Sequence, residues 1–391
     1  MKIAINCAFY QPQGGGIKEY VFNLTHHLAK LDTENEYILY VLQDQMAYAK
    51  TNLPEIFQIK PIPYNSRRLT DVIARSLFEQ RFWLKEERLE KWDIFHSPFF
   101  HAPKLKDAKL LLTVHDLRFY RFPKTYTRLR YLFLKYKVRA SICRADHIIA
   151  ISNFTKKEIM EAYQIDGNKI SVVHEAINPE RFTGAHIDST VQNSAFVRQL
   201  GTAPFLLSVG HLEPRKNYVR LIEAFILLKR QVPELADLKL VIVGKPGHSY
   251  EKTLLLIASR DDIYYPNFVE HSLLIWLYKH ASLFVLPSYY EGFGFPPLEA
   301  AALGTVSAVS HISSMPEICG NAVFYFDPFD TNSIVAALTE ALQCPGAYEA
   351  KKAQLPTQLD KFSWERNAME TISVYKAIKK CPLTNENSAT Y

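Results

Sequence analysis

The sequence has little of what would place a chain in a membrane, an oxidising compartment or a metal site. Its longest apolar runs, such as Leu110 to Val114 and Phe284 to Leu286, fall far short of the roughly 20 residues that cross a bilayer. Met1 leads directly into a strand-like segment with no signal-peptide pattern, so a cytoplasmic protein is expected. Five cysteines (Cys7, Cys143, Cys319, Cys344, Cys381) are scattered without a C-x-x-C pair, which fits reduced, mostly buried thiols and excludes a zinc or disulfide framework. No Asp-x-Asp stands at the end of a strand-like run; Asp261 and Asp262 precede one and read as turn acids. No low-complexity tract or short repeat occurs, and the polar tail from Pro382 to Tyr391 is expected to fray.

What is present is size and rhythm. With 391 residues, 48% of them hydrophobic, the chain is long enough for two ordinary domains, each with its own core. Strand-like runs alternate with helix-length segments at 2–9, 36–42, 93–98, 109–116, 147–152 and 170–176. After a polar, weakly patterned stretch from about Asn178 to Ala203 the rhythm restarts at 205–211, 238–245, 262–269, 283–288, 305–310 and 322–327. Such alternation predicts α/β domains with parallel sheets covered by helices on both faces. Ligands then bind at the carboxyl ends of strands, so the loops that follow strands are where chemistry is sought.

The net charge of +6 is modest but unevenly placed. Nine cations from Arg118 to Arg144 alternate with aromatic and aliphatic residues, and no acid lies among them. The pattern suits a partly amphipathic surface helix near anionic lipid or phosphate, and equally a solvated helix face with an apolar underside.

Four strand-end loops carry candidate residues. The first strand is followed by YQPQGGGIKEYVFNL, where Gly14, Gly15 and Gly16 precede a helix with an apolar face through Ile17, Tyr20, Val21 and Leu24. Glycines let backbone amides approach a ligand, and a helix N-terminus favours phosphate, although a flexible turn would look the same. The strand KLLLTVHD ends in His115 and Asp116, which puts a histidine at a carboxyl-end lip where it can donate to a substrate or transfer a proton. FLLSVGH runs into HLEPRKN, with Arg215 and Lys216 just before a helix that Asn217 is placed to cap. Cations there oppose the helix dipole, so they are expected to serve an anion such as a diphosphate. Finally, in SYYEGFGFPPLEA, Glu291 falls in the loop after LFVLPS, and Glu299 is expected within the first turn of the helix that Phe295-Pro296-Pro297 begins.

With these residues, the chain resembles family 4 of the retaining glycosyltransferases. The Glu-x7-Glu pattern EGFGFPPLE is that family's most specific motif. Further matches are QGGGIKEYV, the strand-end HD, AISNFTKKEI (150–159), EAINPERF (175–182), SVGHLEPRKN (208–217), the stretch 313–330 and FSWERNA (362–368). The resemblance implies the GT-B architecture: two facing Rossmann-like domains with an interdomain cleft. Residues 1–180 would form an acceptor-side domain and 200–363 a nucleotide-sugar domain, with a final helix over about 364–380 packing back on the first. It further implies that Arg215 and Lys216 hold the donor diphosphate, that Glu299 bonds the ribose hydroxyls and Glu291 the donor sugar, and that Gly292, Phe293 and Gly294 border the nucleotide sugar. Leu298 would lie against the nucleoside or its phosphate through its backbone amide. His115 would bond the transferred sugar, and Gly15 and Gly16 would border diphosphate and acceptor.

A glycosidase also pairs carboxylates, but it has no use for a diphosphate clamp. A UDP-sugar 2-epimerase shares the architecture, whereas Glu-x7-Glu points to transfer; a basic lectin-like or nucleic-acid-binding module would rest on the 118–144 segment alone. GFGFPPLEA resembles mannosyltransferases of bacterial polysaccharide and O-antigen assembly, which makes GDP-mannose the first donor, with UDP-glucose and UDP-N-acetylglucosamine open. No metal or cofactor is expected. The expected partners are a nucleotide sugar and a saccharide acceptor, polyprenyl-diphosphate-linked if the basic helix faces an anionic inner membrane surface, and no nucleic acid.

Overall fold

In a computed structural model of the chain, the twelve alternating runs and one further segment form thirteen strands among the described residues, in two wholly parallel sheets. The structure describes residues 1–12, 15–63, 72–183, 189–192 and 194–380. Two units share the chain: Met1–Glu175 together with the chain from Trp364 onward, and Ala176–Ser363.

The first unit contains β1 (Lys2–Asn6), β2 (Glu36–Leu42), β3 (Gln58–Ile62), β4 (Ile94–Ser97), β5 (Lys109–Val114), β6 (His147–Ala150) and β7 (Ile170–Val172), in the order β3-β2-β1-β4-β5-β6-β7. β3 was absent from the expected strands because Pro61 interrupts its pattern. A proline is tolerated here because the strand lies at the sheet edge, paired only with β2. The helix Trp364–Lys380 completes this unit. It buries Trp364, Asn367, Ala368, Thr371, Val374, Tyr375 and Ile378, the three-and-four spacing of one helix face. Tyr375 reaches the sheet, its hydroxyl 2.7 Å from His96 Nδ1 on β4.

The second unit contains β8 (Phe205–Val209), β9 (Lys239–Val243), β10 (Ile263–Asn267), β11 (Leu283–Leu286), β12 (Ser307–Ser310) and β13 (Val323–Phe326), in the order β10-β9-β8-β11-β12-β13. Period-two alternation divides its core between the two faces. Leu206, Leu240, Ile242 and Val285 pack on one side, and Leu207, Val241, Phe284 and Leu286 on the other. The stretch expected to lack pattern contains the helix Ala195–Leu200, capped by Ser194 and anchored by fully buried Leu200.

Both sheets reverse their winding beside the first strand of the unit, between β1 and β4 and between β8 and β11. The loops that follow those strands therefore open at a topological switch point, where doubly wound sheets bind ligands.

The basic segment is not one helix. Pro123 separates the helix Arg118–Arg121 from Arg128–Arg144, which Thr127 caps. The far half of the longer helix is buried through Val138, Ser141 and Ile142, whereas the near half packs only the partly buried Tyr131 and Leu134 against the core and exposes Leu129 (82%), Leu132 (53%) and Tyr136 (74%). Among the described residues no helix is long and apolar enough to cross a membrane. Cys7 and Cys319 are buried thiols, whereas Cys143 and Cys344 are exposed, and Cys381 lies outside the described residues.

Candidate active site

In the second unit the switch point brings together residues far apart in sequence. After β8, Pro214–Lys216 forms a single 3-10 turn leading into the helix Tyr218–Gln231. After the adjacent β11, the loop carries Glu291, and the two loops are joined where the Tyr289 amide donates to the Arg215 carbonyl at 2.8 Å. Arg215 Nη1 donates to the Tyr290 carbonyl at 2.6 Å and lies 3.0 Å from Glu291 Oε2, while Lys216 Nζ donates to Glu291 Oε1 at 2.6 Å. Burial alone would push the Glu291 carboxyl up, but the Arg215 and Lys216 charges outweigh it and bring it down to about 2. Glu213 stands 3.7 Å from Arg215 Nε, so two cations and two carboxylates share the cluster. Within the protein, the anion that offsets the cations is thus largely Glu291 itself.

Backbone detail fixes this arrangement. The Glu291 amide donates to Ser313 Oγ at 3.2 Å, and Ser314 Oγ donates to the carbonyls of Glu291 and Phe293 at 2.9 and 2.7 Å. Gly210, at φ +154°, leaves the space that Lys216 occupies, since a Cβ there would stand 2.9 Å from Lys216 Cε. Gly294 takes φ +113° at the start of the helix Phe295–Ala302, and a Cβ on it would be 2.1 Å from Met315 Cε. Any other residue at Gly294 is therefore strained by this backbone conformation, even if the Met315 side chain moves aside.

Three sequence expectations change. Asn217 occupies the cap position in a left-handed conformation, but its side chain makes no cap bond and instead donates to the Pro328 carbonyl at 2.9 Å. Glu299 lies in the second helical turn, not the first, and accepts from the Tyr278 hydroxyl at 2.8 Å. Burial pushes its carboxyl above the ordinary value, with Tyr278, Arg181, His271 and Lys216 opposing. Phe293 is buried, its ring against Phe295 and Phe362, so only its backbone is available to a ligand. Gly292 stays in the loop, and Leu298 is buried fourth in the helix.

In the first unit the glycine segment begins the helix Gly16–Leu31, with Gly15 at the cap position; Gly14 lies outside the described residues. Both Gly15 and Gly16 are exposed, and nothing lies within 4 Å of a Cβ built on Gly15, so its use to a ligand is open space above a helix N-terminus. Tyr20 of that helix meets His115 edge to face at 5.0 Å. His115 follows β5 at the carboxyl lip, its Nδ1 2.8 Å from Glu175 Oε1. Burial pushes the imidazole down, but the Glu175 carboxylate and the Pro98 carbonyl outweigh it, so its pKa is raised. Asp262, by contrast, immediately precedes β10, at the far end of that strand, and is paired with Lys229 and Arg260 at 2.6 Å each.

A family model described as Glycosyltransferase Family 4 matches residues 14–181, and one described as Glycosyl transferases group 1 matches residues 190–356. The chain belongs to family 4 of the glycosyltransferases. It is 28% identical to the O-antigen chain mannosyltransferase B of Escherichia coli, over 80% of this chain and 84% of that protein. It is also 28% identical to the O-antigen chain mannosyltransferase RfbU of Salmonella typhimurium, over 78% and 79%. The fold matches a glycosyltransferase crystal structure from Rickettsia africae, at a TM-score of 0.71 and 18% identity, covering 97% of this chain and 98% of that one. As a family 4 glycosyltransferase, the chain has the two doubly wound sheets of the GT-B fold.

Sequence reading passed over Tyr278, Ser313, Ser314 and Glu175 as site residues. Ser313, Ser314 and Glu175 fall inside stretches that carry the family resemblance, but nothing in their spacing says which backbone or side chain each one meets. Tyr278 sits in a helix whose other buried residues are apolar, where only contact with Glu299 marks it out.

Proposed function

We propose that the protein is a retaining hexosyltransferase that moves mannose from GDP-mannose to a saccharide acceptor in cell-surface polysaccharide or O-antigen assembly. The observation that carries the reading is the convergence of Arg215, Lys216 and Glu291 at the β8–β11 switch point. A diphosphate replaces part of the Glu291 contact with the two cations and presents its leaving charge to fixed donors. Glu299, braced by Tyr278, is assigned to the ribose hydroxyls, Glu291 to the sugar, and His115 to a hydrogen bond with the transferred sugar. The mannose assignment is supported by the two O-antigen mannosyltransferase relatives.

In the reaction the bond from the anomeric carbon to the diphosphate oxygen breaks and one to the acceptor oxygen forms on the same face. The acceptor proton passes to the departing phosphate. In the ligand-free protein the Glu291 carboxyl, brought down to about 2 between two cations, is a poor base. Arg215 and Lys216 supply the positive charge, so no metal or cofactor is required.

A thermal-shift panel of nucleotide sugars, run with and without EDTA, tests donor and metal together. GDP-mannose at about 100 times its Kd is expected to stabilise by about 2.7 kcal/mol in either condition. A shift given only by UDP-glucose or UDP-N-acetylglucosamine overturns the donor, and a shift that needs added magnesium overturns metal independence.

The acceptor is proposed to be polyprenyl-diphosphate-linked at an anionic membrane surface. Support comes from the exposed Leu129, Leu132 and Tyr136 set among Arg128, Arg130, Lys135 and Arg139. Cations near an anionic surface contribute about 1 kcal/mol each. The protein is expected to float with vesicles containing phosphatidylglycerol, and L129E/Y136E to abolish flotation without loss of turnover on a soluble acceptor. Flotation that ignores anionic lipid content overturns the proposal.

A further inference from the structure

His115 presents an accounting problem in hydrogen bonds. Its Nδ1 is 2.8 Å from Glu175 Oε1, and its Nε2 is 3.1 Å from the Pro98 carbonyl oxygen. A carboxylate and a carbonyl only accept, so both ring nitrogens must donate. A neutral imidazole has one N–H and leaves one of these contacts without a proton; the imidazolium satisfies both.

The surroundings agree with a cation. Glu175 is 2% exposed, and a carboxylate so buried is costly unless a charge faces it. The other titratable groups around His115 are Asp116 in its own loop, His96 on β4 and Tyr20 on the helix Gly16–Leu31. Burial, with the His115 charge adding to it, holds His96 at about 3, so His96 is neutral and does not compete for the proton. It is bonded instead to Thr113 Oγ1 at 2.8 Å and to the Tyr375 hydroxyl. The backbone beside Glu175 is held as well, since Asn367 Nδ2 donates to the His174 carbonyl at 2.7 Å.

We infer that Glu175 is a positioning residue that keeps His115 as an imidazolium, so that His115 meets the donor sugar as a charged hydrogen-bond donor and not as a base. The inference rests on the assignment of His115 to the transferred sugar. No covalent step is involved: Nε2–H exchanges the Pro98 carbonyl for a substrate oxygen, while Nδ1–H stays on Glu175. Activity then requires the protonated ring, and it falls as pH rises through the raised pKa.

The test is a pH titration of the full chain labelled with ¹⁵N-histidine, with the His115 signals identified by their loss in H115Q, alongside the pH profile of kcat/KM. The wild-type ring is expected to show two protonated nitrogens at pH 7 and to titrate above the ordinary value of about 6.5. In E175Q both the titration and the basic limb of kcat/KM are expected to move down by about 1–3 on the pH scale. A neutral wild-type ring at pH 7 overturns the inference without recourse to any variant, and so does an E175Q titration that stays in place. If the ring titrates as expected but the basic limb does not follow it in E175Q, the pairing stands and the assignment of His115 to the sugar falls.

Discussion

Glu291→Ala is expected to abolish turnover while GDP still binds with nearly wild-type affinity. Glu291 holds no covalent role in the proposed reaction; its loss removes the grip on the sugar and leaves Arg215 and Lys216 for the diphosphate. The free protein should suffer as well, because removing one partner from a buried charge pair costs about 3–5 kcal/mol. With its affinity nearly unchanged, GDP should stabilise the variant by about as much as it stabilises the wild type. Calorimetric titration with GDP and single-turnover assays check both halves. Equal losses in GDP binding and turnover would mean that Glu291 serves only to order the cations. The stability difference between wild type and Glu291→Gln also has a predicted pH course. A carboxyl lowered from 4.5 to about 2 stabilises the fold fully above about 4.5, and that contribution disappears as pH falls through about 2.

Lys216→Met retains the hydrocarbon stem that lies over Gly210 and removes the charge. Turnover is expected to fall by about 10² to 10³, or roughly 3–4 kcal/mol, the usual effect of deleting one preorganised electrostatic contact to developing charge. Because charge on the departing diphosphate grows in the transition state, the loss should appear in kcat more than in KM. Steady-state kinetics with a saturating acceptor separates the two. A rate within tenfold of wild type would show that Arg215 alone carries the leaving group.

The strands of both sheets were readable because parallel strands buried on two faces are written as short continuous apolar runs. β3 escaped that reading through Pro61, which an edge strand accepts and an interior strand does not. At the site, residue types and loops were legible, but pairings were not. Glu291 and Lys216 are 75 residues apart, and only the placing of β8 beside β11 makes them neighbours. His115 and Glu175 are 60 apart, joined by the β5-β6-β7 order. Asn217 shows the limit of a local rule: its type suits a cap, yet a carbonyl 111 residues away takes its side chain. Glu299 was placed one turn early although the helix starts at Phe295 as expected, because it is the fifth residue from that start and a turn holds about 3.6.

The first unit is made of two segments that flank the second unit in sequence, and this sets an order for its synthesis. As the chain leaves the ribosome, β1 to β7 emerge before the second unit, yet the face carrying His96 must wait for Tyr375, and the His174 carbonyl for Asn367, until the whole second unit has been translated. The contiguous unit can fold as it appears, while the earlier one holds an open apolar face meanwhile. The first unit is therefore begun before the second and finished after it, so the backbone beside Glu175 gains its complete surroundings only once Trp364–Lys380 has been made.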